Sequence, residues 1–346
     1  GAAVVGGAFG NYTYTAETSR LKSVEITRGV QGGEHGLLSQ GTCRLVFKDL
    51  GGRFNPENAS SPLTGSLLPL RPLRVRAVHN AITYGLFYGF ISRLEHDPAP
   101  DVQETVIEPV DAFEFLSTTY PTVNTIGYGK ATGDALRLLL DYAGWTDTAF
   151  LDLDTGRPIL DFTADGSRSA LSLAQDLLTF EQGILFVDGD GIITFQDCQA
   201  LDAPRSVDAT WTQALISGAR PGFDLATLIN GQTVTNENTD HSFTRIDAVS
   251  RDAIIGYGNR DGSPISTPYP IDDFTADNLA AYVVYLGKDY TVPTRTVTIP
   301  NRDDTAIVQQ LARDLGDRVT LSENLGGTST TGTIVGLTHR IWGGGK

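Results

Sequence analysis

The sequence predicts a mainly β protein with an α+β insertion. Its 346 residues include 38 Gly and 16 Pro, a composition that favours short strands joined by turns. Hydrophobic and polar residues alternate through residues 42–49 and again through 73–78, which is the two-residue period of a strand with one buried face. The pattern changes at residues 134–143, where leucines recur at helical spacing, so the helices are expected in the later part of the chain.

Residues 1–118 are predicted to form a first β domain, either a barrel or a sandwich. Two glycines end the strand at residues 42–49, and prolines keep the following loop out of any strand pairing. Gly89 is predicted to be a bulge or a place where another backbone approaches closely. His35 is expected to be a solvated loop residue. The other strands predicted in this segment are 21–28, 73–78, 87–91 and 105–116.

Residues 119–205 are predicted to form a small α/β domain. Its two helices are expected at residues 134–143 and 167–180, where leucines form one apolar face. Ser167 and Ser169 are the alternative N-caps of the second helix, because a serine hydroxyl accepts a hydrogen bond from an unpaired N–H of the first turn.

The sequence DGDG at residues 188–191 allows two interpretations. It lies between the β-branched runs 183–187 and 192–196, and Asp-Gly between two such runs is a strong β-hairpin signal. A calcium loop of the helix-loop-helix type would use Asp197 as its last ligand, but Phe186 would then occupy the first ligand position and cannot bind a cation. Since the flanking residues are also typical of strands, a tight hairpin turn is the better explanation.

Residues 206–346 are predicted to form a second β-barrel-like domain with two helices. The helices are expected at residues 276–287 and 303–315, and in the second Ile307, Val308, Leu311 and Leu315 form an apolar stripe at helical spacing. Trp342, near the end of the last strand, is expected to cover a hydrophobic core. The strands predicted in this segment are 211–218, 228–236 with a bulge at Gly231, 243–255, 295–300, 318–321 and 332–342.

The composition argues against some classes of function. The net charge is −15 at pH 7, and so acidic a surface opposes binding to nucleic acid through phosphate contacts, which need clustered Lys and Arg. The same charge suits a channel that DNA passes without sticking, and it equally suits plain solubility. Cys43 and Cys198 show no metal-binding spacing and are expected to be buried thiols rather than a disulfide. No apolar run approaches the roughly 20 residues that a membrane-spanning helix needs.

No motif for catalysis is found, and the protein is predicted not to be an enzyme. The five histidines, at positions 35, 79, 96, 241 and 339, show no HxH or HExxH spacing, and there is no GxSxG sequence. A glycosidase needs two carboxylates across a cleft; the 41 acidic residues permit this, but no aromatic-rich segment accompanies any pair. The sequence GYGKAT at residues 127–132 lacks the spacing of a phosphate-binding loop. We therefore assign no catalytic, cofactor-binding or metal-binding residue from the sequence.

Four stretches, GTCRLVFKD, GRFNPEN, RPLRVRA and FYGFI, follow one another within residues 41–95. Their order resembles the N-terminal region of phage minor tail proteins of the tail-hub family. A helix followed by EQGILFVDGDGIITFQD, at residues 181–197, resembles a second stretch of that family. The final LTHRIW, at residues 337–342, resembles its closing strand. These signatures occur in the order that the family has.

The resemblance implies that residues 1–118 and 206–346 are two tail-tube-like β-barrel domains, with the α/β domain of residues 119–205 outside or below them. It implies a homotrimer whose barrels form a pseudo-hexameric ring between the six-fold tail tube and a three-fold tip. The implied partners are the distal tail or tail-tube protein, other tail-tip proteins and the tape measure, and DNA would pass through the lumen without specific binding. The implied location is the virion tail tip, after assembly in the host cytoplasm.

Two other functions remain open at the level of sequence. One is a hydrolase at the tail tip that opens the host cell wall, and the other is a module that binds glycans of the host surface. A glycan-binding sheet should expose aromatic side chains on one face, and the three tryptophans, at positions 145, 211 and 342, are scattered along the chain.

Overall fold

The computed structural model describes most of the chain, and every structural statement below concerns the described part. The loop that contains His35 and residues 127–129 of the GYGKAT sequence lie outside the described residues, so their predictions stay predictions. The described residues are 12–29, 36–37, 39–99, 103–126, 130–202, 206–217, 225, 228–236, 239–267, 271–289, 296–322 and 329–342.

Strands occur along the whole described chain, whereas the first α-helix begins at Phe113. The strands are β1 Leu21–Gly29, β2 Gly36–Leu37, β3 Thr42–Lys48, β4 Pro72–His79, β5 Ile82–Asp97, β6 Glu104–Val110, β7 Thr122–Ile126, β8 Lys130–Ala131, β9 Leu151–Leu153, β10 Pro158–Ile159, β11 Phe162–Asp165, β12 Ile184–Val187, β13 Ile193–Gln196, β14 Ala209–Thr212, β15 Gly231–Asn236, β16 His241–Ile246, β17 Ile265–Thr267, β18 Arg318–Ser322, β19 Ser329–Thr333 and β20 Gly336–Trp342. The helices are α1 Phe113–Thr118, α2 Thr132–Tyr142, α3 Ala170–Glu181, α4 Cys198–Asp202, α5 Asp273–Gly287 and α6 Asp304–Ala312.

The largest sheet contains six strands in the order β20-β1-β3-β6-β5-β4, antiparallel throughout, and curls into a half-barrel. β4 pairs with the first half of the long strand β5, and β6 pairs with the second half. The sheet is therefore staggered, as are the tilted strands of a barrel. β20 pairs with β1 from Ser23 and Trp342 to Gly29 and Gly336. A strand from the end of the chain thus belongs to the same sheet as the first strands, across the predicted boundaries at residues 118 and 205.

Alternation along β3 decides which face of the sheet is buried. Cys43, Leu45 and Phe47 are buried. Arg44 is exposed, whereas Val46 is buried as well, so the alternation ends at Leu45. The ring of Phe47 stacks on that of Phe54 with 4.5 Å between centroids. Phe54 belongs to a loop of successive turns, residues 52–64, in which every third N–H bonds to the carbonyl three residues earlier. Burying a phenylalanine stabilises the fold by about 1.5–3 kcal/mol, so the loop contributes to the core under the sheet.

The predicted strand at residues 105–116 is correct only up to Val110, after which the chain forms the helix α1. Phe113 and Leu116, three residues apart, are both buried against the helices of the α/β part. Strand geometry would have placed these two side chains on opposite faces, so tertiary packing selects the helix. Gly89 of β5 is a place of close approach, because a Cβ there would lie 2.4 Å from the carbonyl oxygen of Val110.

The two helices predicted in the middle segment are confirmed as α2 and α3. Ser169 is the N-cap of α3, and its hydroxyl accepts the N–H of Ser172 at 3.2 Å. Gln182 ends this helix in the left-handed conformation. Leu177 and Leu178 are fully buried, as expected for the apolar stripe of a core helix.

The predicted hairpin is confirmed as β12 and β13, which pair from Ile184 and Gln196 to Val187 and Ile193. One carboxylate oxygen of Asp188 accepts the N–H of Asp190 at 2.9 Å and that of Ile192 at 2.8 Å. A positive φ of 92° at Gly191 closes the turn. The hairpin is buried on both faces, so its side chains contribute alternately to two cores. Leu185 and Val187 belong to the core of helices α1, α2, α3 and α5, and Ile184 and Phe186 to the core of β14 and β18.

Apart from β20, which belongs to the six-stranded sheet, the described strands of segment 206–346 form two separate three-stranded sheets. Their orders are β14-β18-β19 and β16-β15-β17. The predicted helix at residues 276–287 is α5, which packs on β15 and β16. The predicted helix at residues 303–315 is α6 and ends earlier, at Ala312; Leu315 lies beyond it in a core with Val319. No hydrogen-bonded pairing joins these two sheets into one barrel within the described residues.

Several sequence predictions in this segment are wrong. The strand predicted at residues 211–218 ends at Thr212, and in the described part of the strand predicted at 295–300 only Thr298 pairs, in an isolated bridge with Ser217. The strand predicted at residues 243–255 ends at Ile246, because Asp247 starts a series of turns. Trp342 does not cover a core and is 74% exposed. Its strand, β20, lies at the edge of the six-stranded sheet, and no described element covers its end.

The cysteines agree with their prediction, since Cys43 and Cys198 are both buried and unpaired. Burial is the main cause that raises the pKa of each thiol, so neither is a reactive thiolate near neutral pH. No helix in the described residues is long and apolar enough to cross a membrane.

Asp111 is a buried carboxyl at the point where β6 ends and α1 begins. Its two oxygens accept the N–H groups of Gly41 and Phe113, the second at 3.0 Å. Burial raises the pKa of Asp111 from 3.8 to about 7, against the opposite effect of these two hydrogen bonds and of the charge of Arg28. Between these two values the folded protein therefore holds a proton that the unfolded chain releases.

We predict that this proton makes stability fall as pH rises. The contribution of Asp111 is fully present below pH about 4 and is lost as pH rises through about 7, because the folded state binds more protons in that window. Asp111→Asn removes the titration, so wild type should exceed the variant in free energy of unfolding by more at pH 4 than at pH 8. Urea unfolding at intervals of one pH unit measures this.

Asp165→Asn is the matched control. Asp165 is exposed, and hydrogen bonds from Ser167 lower its pKa below 3.8, so its titration lies below the range measured. The difference between wild type and this variant should stay constant from pH 5 to pH 8. A constant difference for Asp111→Asn as well would show that Asp111 is ionised in the folded protein throughout.

Candidate assembly surfaces

The acidic turn at residues 188–191 has a structural use. The carboxylate of Asp188 is engaged by backbone N–H groups of its own turn. Burial, together with the charges of Asp314 and Asp190, raises the pKa of Asp188 to about 6. Asp197 lies at the other end of β13, where its carboxylate accepts the N–H of Ala200. Across the described chain, no three His, Cys, Asp or Glu side chains are grouped so that they could hold a metal ion.

The four histidines in the described residues lie on separate elements, each with its own partner. Nδ1 of His96 lies 2.9 Å from the carboxylate of Asp49, and Nδ1 of His241 lies 2.6 Å from that of Asp273. His79 is 3.7 Å from Asp304. These contacts each join two elements that are distant in sequence, and they bring no two histidines of the described residues together.

An ion pair between a buried arginine and a partly exposed aspartate joins three parts of the chain. Arg28, at the end of β1, is 2% exposed, and its Nη1 lies 2.6 Å from Oδ1 of Asp314 and 3.4 Å from the carbonyl oxygen of Val187. The other carboxylate oxygen of Asp314 accepts the N–H of Gly189 at 2.8 Å. The first sheet, the hairpin of the α/β part and the linker after α6 therefore meet at one pair of charges.

The same point includes a half-buried histidine on β20. Nε2 of His339 lies 2.8 Å from the carbonyl oxygen of Gln310 in α6. Burial lowers the pKa of His339, and the nearby charge of Arg28 lowers it further. A neutral imidazole here avoids a second positive charge beside the buried guanidinium.

The six-stranded sheet has two open edges. β4 and β20 each pair with one strand only in the described residues. With five antiparallel pairings between them, the two edge strands run in opposite directions. Arg74 and Arg76 on β4 and Arg340 on β20 charge these edges, which limits unspecific pairing with other chains. The edges can therefore accept only a partner whose edge and charges fit.

A loop of residues 247–258, which we call the apolar loop, follows the edge strand β16. The buried amide of Asn230 holds its base: the side-chain nitrogen donates to the carbonyl oxygens of Ser250, at 3.2 Å, and Gly258, at 2.7 Å. The hydroxyl of Ser250 donates to the carbonyl oxygen of Lys288 at 2.6 Å. The carboxylate of Asp247 accepts a hydrogen bond from the N–H of Ser250 and forms an ion pair with Lys288. The loop is thus fixed to β15 and to the end of α5.

The tip of the apolar loop is held by a second carboxylate and exposes aliphatic side chains. Asp252 accepts the N–H groups of Ile254 and Ile255, at 2.7 and 3.0 Å, and these bonds lower its pKa. Ile254 is 92% exposed, Ile255 is 77% exposed, and Val249 is also exposed. Adjacent exposed aliphatic residues on a loop with this many internal bonds are typical of an interaction surface.

Sequence reasoning missed the apolar loop because AVSRDAII was interpreted as part of a strand. The residues that hold this loop are Ser250 and the sequence YGNR at residues 257–260, which show no periodic pattern. The structure explains these positions, since Ser250 and Gly258 both bond to Asn230, and the N–H of Arg260 donates to the side-chain oxygen of Asn230 at 2.8 Å.

Solved structures with the same architecture are tail proteins. The tail protein from Neisseria meningitidis MC58 matches with a TM-score of 0.61 at 13% sequence identity, over 93% of this chain and 88% of that one. The 43 kDa tail protein of prophage MuSo2 from Shewanella oneidensis matches with a TM-score of 0.57 at 12% identity, over 94% and 90%. This chain has the fold of a phage tail protein. The resemblance found in the sequence is thereby confirmed at the level of the fold.

A third match extends the fold to a related assembly. A chain of the Francisella PdpA-VgrG complex matches with a TM-score of 0.50 at 13% identity, over 93% of this chain and 46% of that one. No protein-family model matches the sequence, and no curated protein is similar to it. The relationship is therefore carried by the fold and not by sequence identity.

We predict that the ion pair of Arg28 and Asp314 contributes strongly to stability. Arg28→Met should lower the free energy of unfolding by about 1.5–3 kcal/mol, because the buried guanidinium loses its hydrogen bonds to Asp314 and to the carbonyl oxygen of Val187. Arg340→Gln is the control: it breaks an exposed pair with Glu25 on the same strand, β1, and should cost less than about 1 kcal/mol. Guanidinium unfolding of the three proteins measures both. Equal losses would mean that the pair of Arg28 is no stronger than the surface one.

Proposed function

We propose that this protein is a structural tail-hub protein. In this role it forms a ring at the tail tip or baseplate that connects the six-fold tail tube to a three-fold tip and lets DNA pass during ejection. The observation that carries the proposal is the likeness to two tail proteins over about nine tenths of each chain. The histidines and cysteines of the described residues lie on separate elements, which agrees with a structural role.

The subunit is a homotrimer in this proposal. Open strand edges are a hazard for a monomer but are useful in a ring, where they are covered by a neighbour. The two edges of the six-stranded sheet run in opposite directions and are staggered, which supports a head-to-tail arrangement of copies. Contacts between different surfaces of identical copies close into a ring when the rotation between copies permits it.

The proposal uses the three predicted domains and adds β20 to the first of them. Residues 1–118 form the first tube-like unit together with β20, which lies in the same sheet. Residues 119–205 form the small α/β unit outside or below the ring. The remainder of residues 206–346 forms the second unit around two three-stranded sheets and two helices.

DNA passes the ring without specific binding in this proposal. The chain carries 41 acidic and 26 basic residues, a net charge of −15, and like charge keeps DNA away from a channel wall. The partners would be the tail-tube or distal tail protein on one side, and other tail-tip proteins and the tape measure on the other. The protein would assemble in the host cytoplasm and reside in the virion.

Light scattering after size-exclusion chromatography tests the proposal. The purified protein should have three times the chain mass of 37.1 kDa, or should become trimeric when it is mixed with the tail-tube protein encoded with it. Electron microscopy of the mixture should then show the protein at tube ends. A monomer that ignores the tube protein would overturn the proposal. Clearing of peptidoglycan in a zymogram, or binding to host glycans, would then favour the hydrolase or the glycan-binding module.

A further inference from the structure

His339 on β20 ties α6 to the first sheet. In the pairing of β20 with β1 it lies opposite Ile26, which is fully buried, so the imidazole is on the inner face of the sheet. Its Nε2 lies 2.8 Å from the carbonyl oxygen of Gln310 in α6. Because a carbonyl oxygen only accepts hydrogen bonds, Nε2 carries the proton of the neutral ring, and Nδ1 has the lone pair.

The surroundings of this ring differ from those of the other histidines in the described residues. His79, His96 and His241 lie 2.6–3.7 Å from an aspartate carboxylate. Nδ1 of His339 is buried and has no hydrogen-bond partner in the part of the chain that the structure describes. A proton on any of the first three rings meets a negative charge, whereas the one bond of the His339 ring goes to an uncharged carbonyl group.

The charge that faces His339 from β1 is positive. Arg28 pairs with Leu337, two residues along from the pair of Ile26 and His339, so Arg28 and His339 are diagonal neighbours on one face of the two strands. The Cα atoms of such neighbours are about 7–8 Å apart. Arg28 is 2% exposed, so solvent ions screen its charge little.

The carboxylates at this junction already have partners. One oxygen of Asp314 lies 2.6 Å from Nη1 of Arg28, and the other accepts a backbone N–H of the hairpin. Asp188 accepts two N–H groups of its own turn, and Asp317 pairs with Arg313. Burial raises the pKa of Asp188 to about 6, so acid also removes its negative charge. A second positive charge beside Arg28 would therefore be poorly compensated.

We propose that His339 is an acid-sensitive latch: with a neutral ring it holds β20 against β1 and α6, and when Nδ1 takes up a proton from solvent it releases β20. β20 is the element that leaves, because it pairs only with β1 in the described residues, whereas β1 also pairs with β3. Arg28 stays in place, held by Asp314 and by the carbonyl oxygen of Val187. The inference concerns the single subunit and does not depend on the proposed ring.

Acid is the direction in which the latch opens. Burial lowers the pKa of His339 below 6.5 in the folded protein, and the charge of Arg28 lowers it further. The released strand thus binds the proton more tightly than the held one, so the latch is fully closed above pH about 6.5 and is lost as pH falls. Between pH 7.5 and pH 5.5 the equilibrium constant for release should rise about five- to tenfold.

Hydrogen exchange measured by mass spectrometry tests the latch on the full chain. Wild type and His339→Gln are compared at each pH, so that the intrinsic pH dependence of exchange and the titration of Asp188 and Asp111 cancel. Glutamine can donate to the carbonyl oxygen of Gln310 but gains no charge. Relative to the variant, wild-type peptides from β20 should exchange about five- to tenfold faster at pH 5.5 than at pH 7.5, and peptides from α3 should not differ.

His241→Gln is the matched control. His241 also lies on an edge strand, β16, but its ring faces the carboxylate of Asp273. This variant should leave the pH dependence of exchange in β20 as it is in wild type.

An NMR titration of wild type tests the same latch without a substitution at the junction, and His339 should titrate below 6.5. A titration of His339 at 6.5 or above would overturn the inference. So would a ratio of β20 exchange between wild type and His339→Gln that stays constant with pH, because the ring would then act only as a structural contact.

Discussion

The ion pair of Arg28 and Asp314 is the contact on which the arrangement of the three parts of the chain depends. The guanidinium comes from the first sheet, and the carboxylate from the linker between α6 and β18. Gly189 and Val187 of the hairpin bond to the same two side chains. A charge can be buried only where its partners are in place, so the pair favours one relative position of these elements over others. A purely apolar contact at the same point would tolerate sliding.

The pairing of β20 with β1 also fixes the relative position of these elements, because it joins the two ends of the described chain in one sheet. Glu25 and Arg340 face each other across β1 and β20 although 315 residues separate them. Closing so long a loop costs entropy before any contact is gained, so this pairing should form late in folding. Until then β1 has an open edge on one side. The intervening α/β part, with its own helical core, can fold first and hold the two strands near each other.

Features with a local cause could be predicted from the sequence. Ser169 caps α3 and Asp188 closes the hairpin through atoms within four residues, so short motifs were sufficient. Features with a distant cause could not. The sequence of α1 alternates like a strand and becomes helical only because Phe113 and Leu116 meet helices that follow it. The edge position of Trp342 depends on a pairing with residues near the other end of the chain, which no local pattern contains.

Buried amide side chains on and beside β15 hold the apolar loop and its neighbours in place. Its inward positions are Gln232, Val234 and Asn236, and Asn230 precedes them, so amides occupy places where a strand of a stable core would carry valine or isoleucine. Each amide bonds to backbone outside the strand: Asn230 to the apolar loop, Gln232 to Ser263, and Asn236 to Ile271, two residues before α5. Burying an amide costs free energy unless every such bond is made, and apolar side chains would avoid that cost. What Asn230 contributes instead is order in the apolar loop, whose aliphatic tip faces solvent.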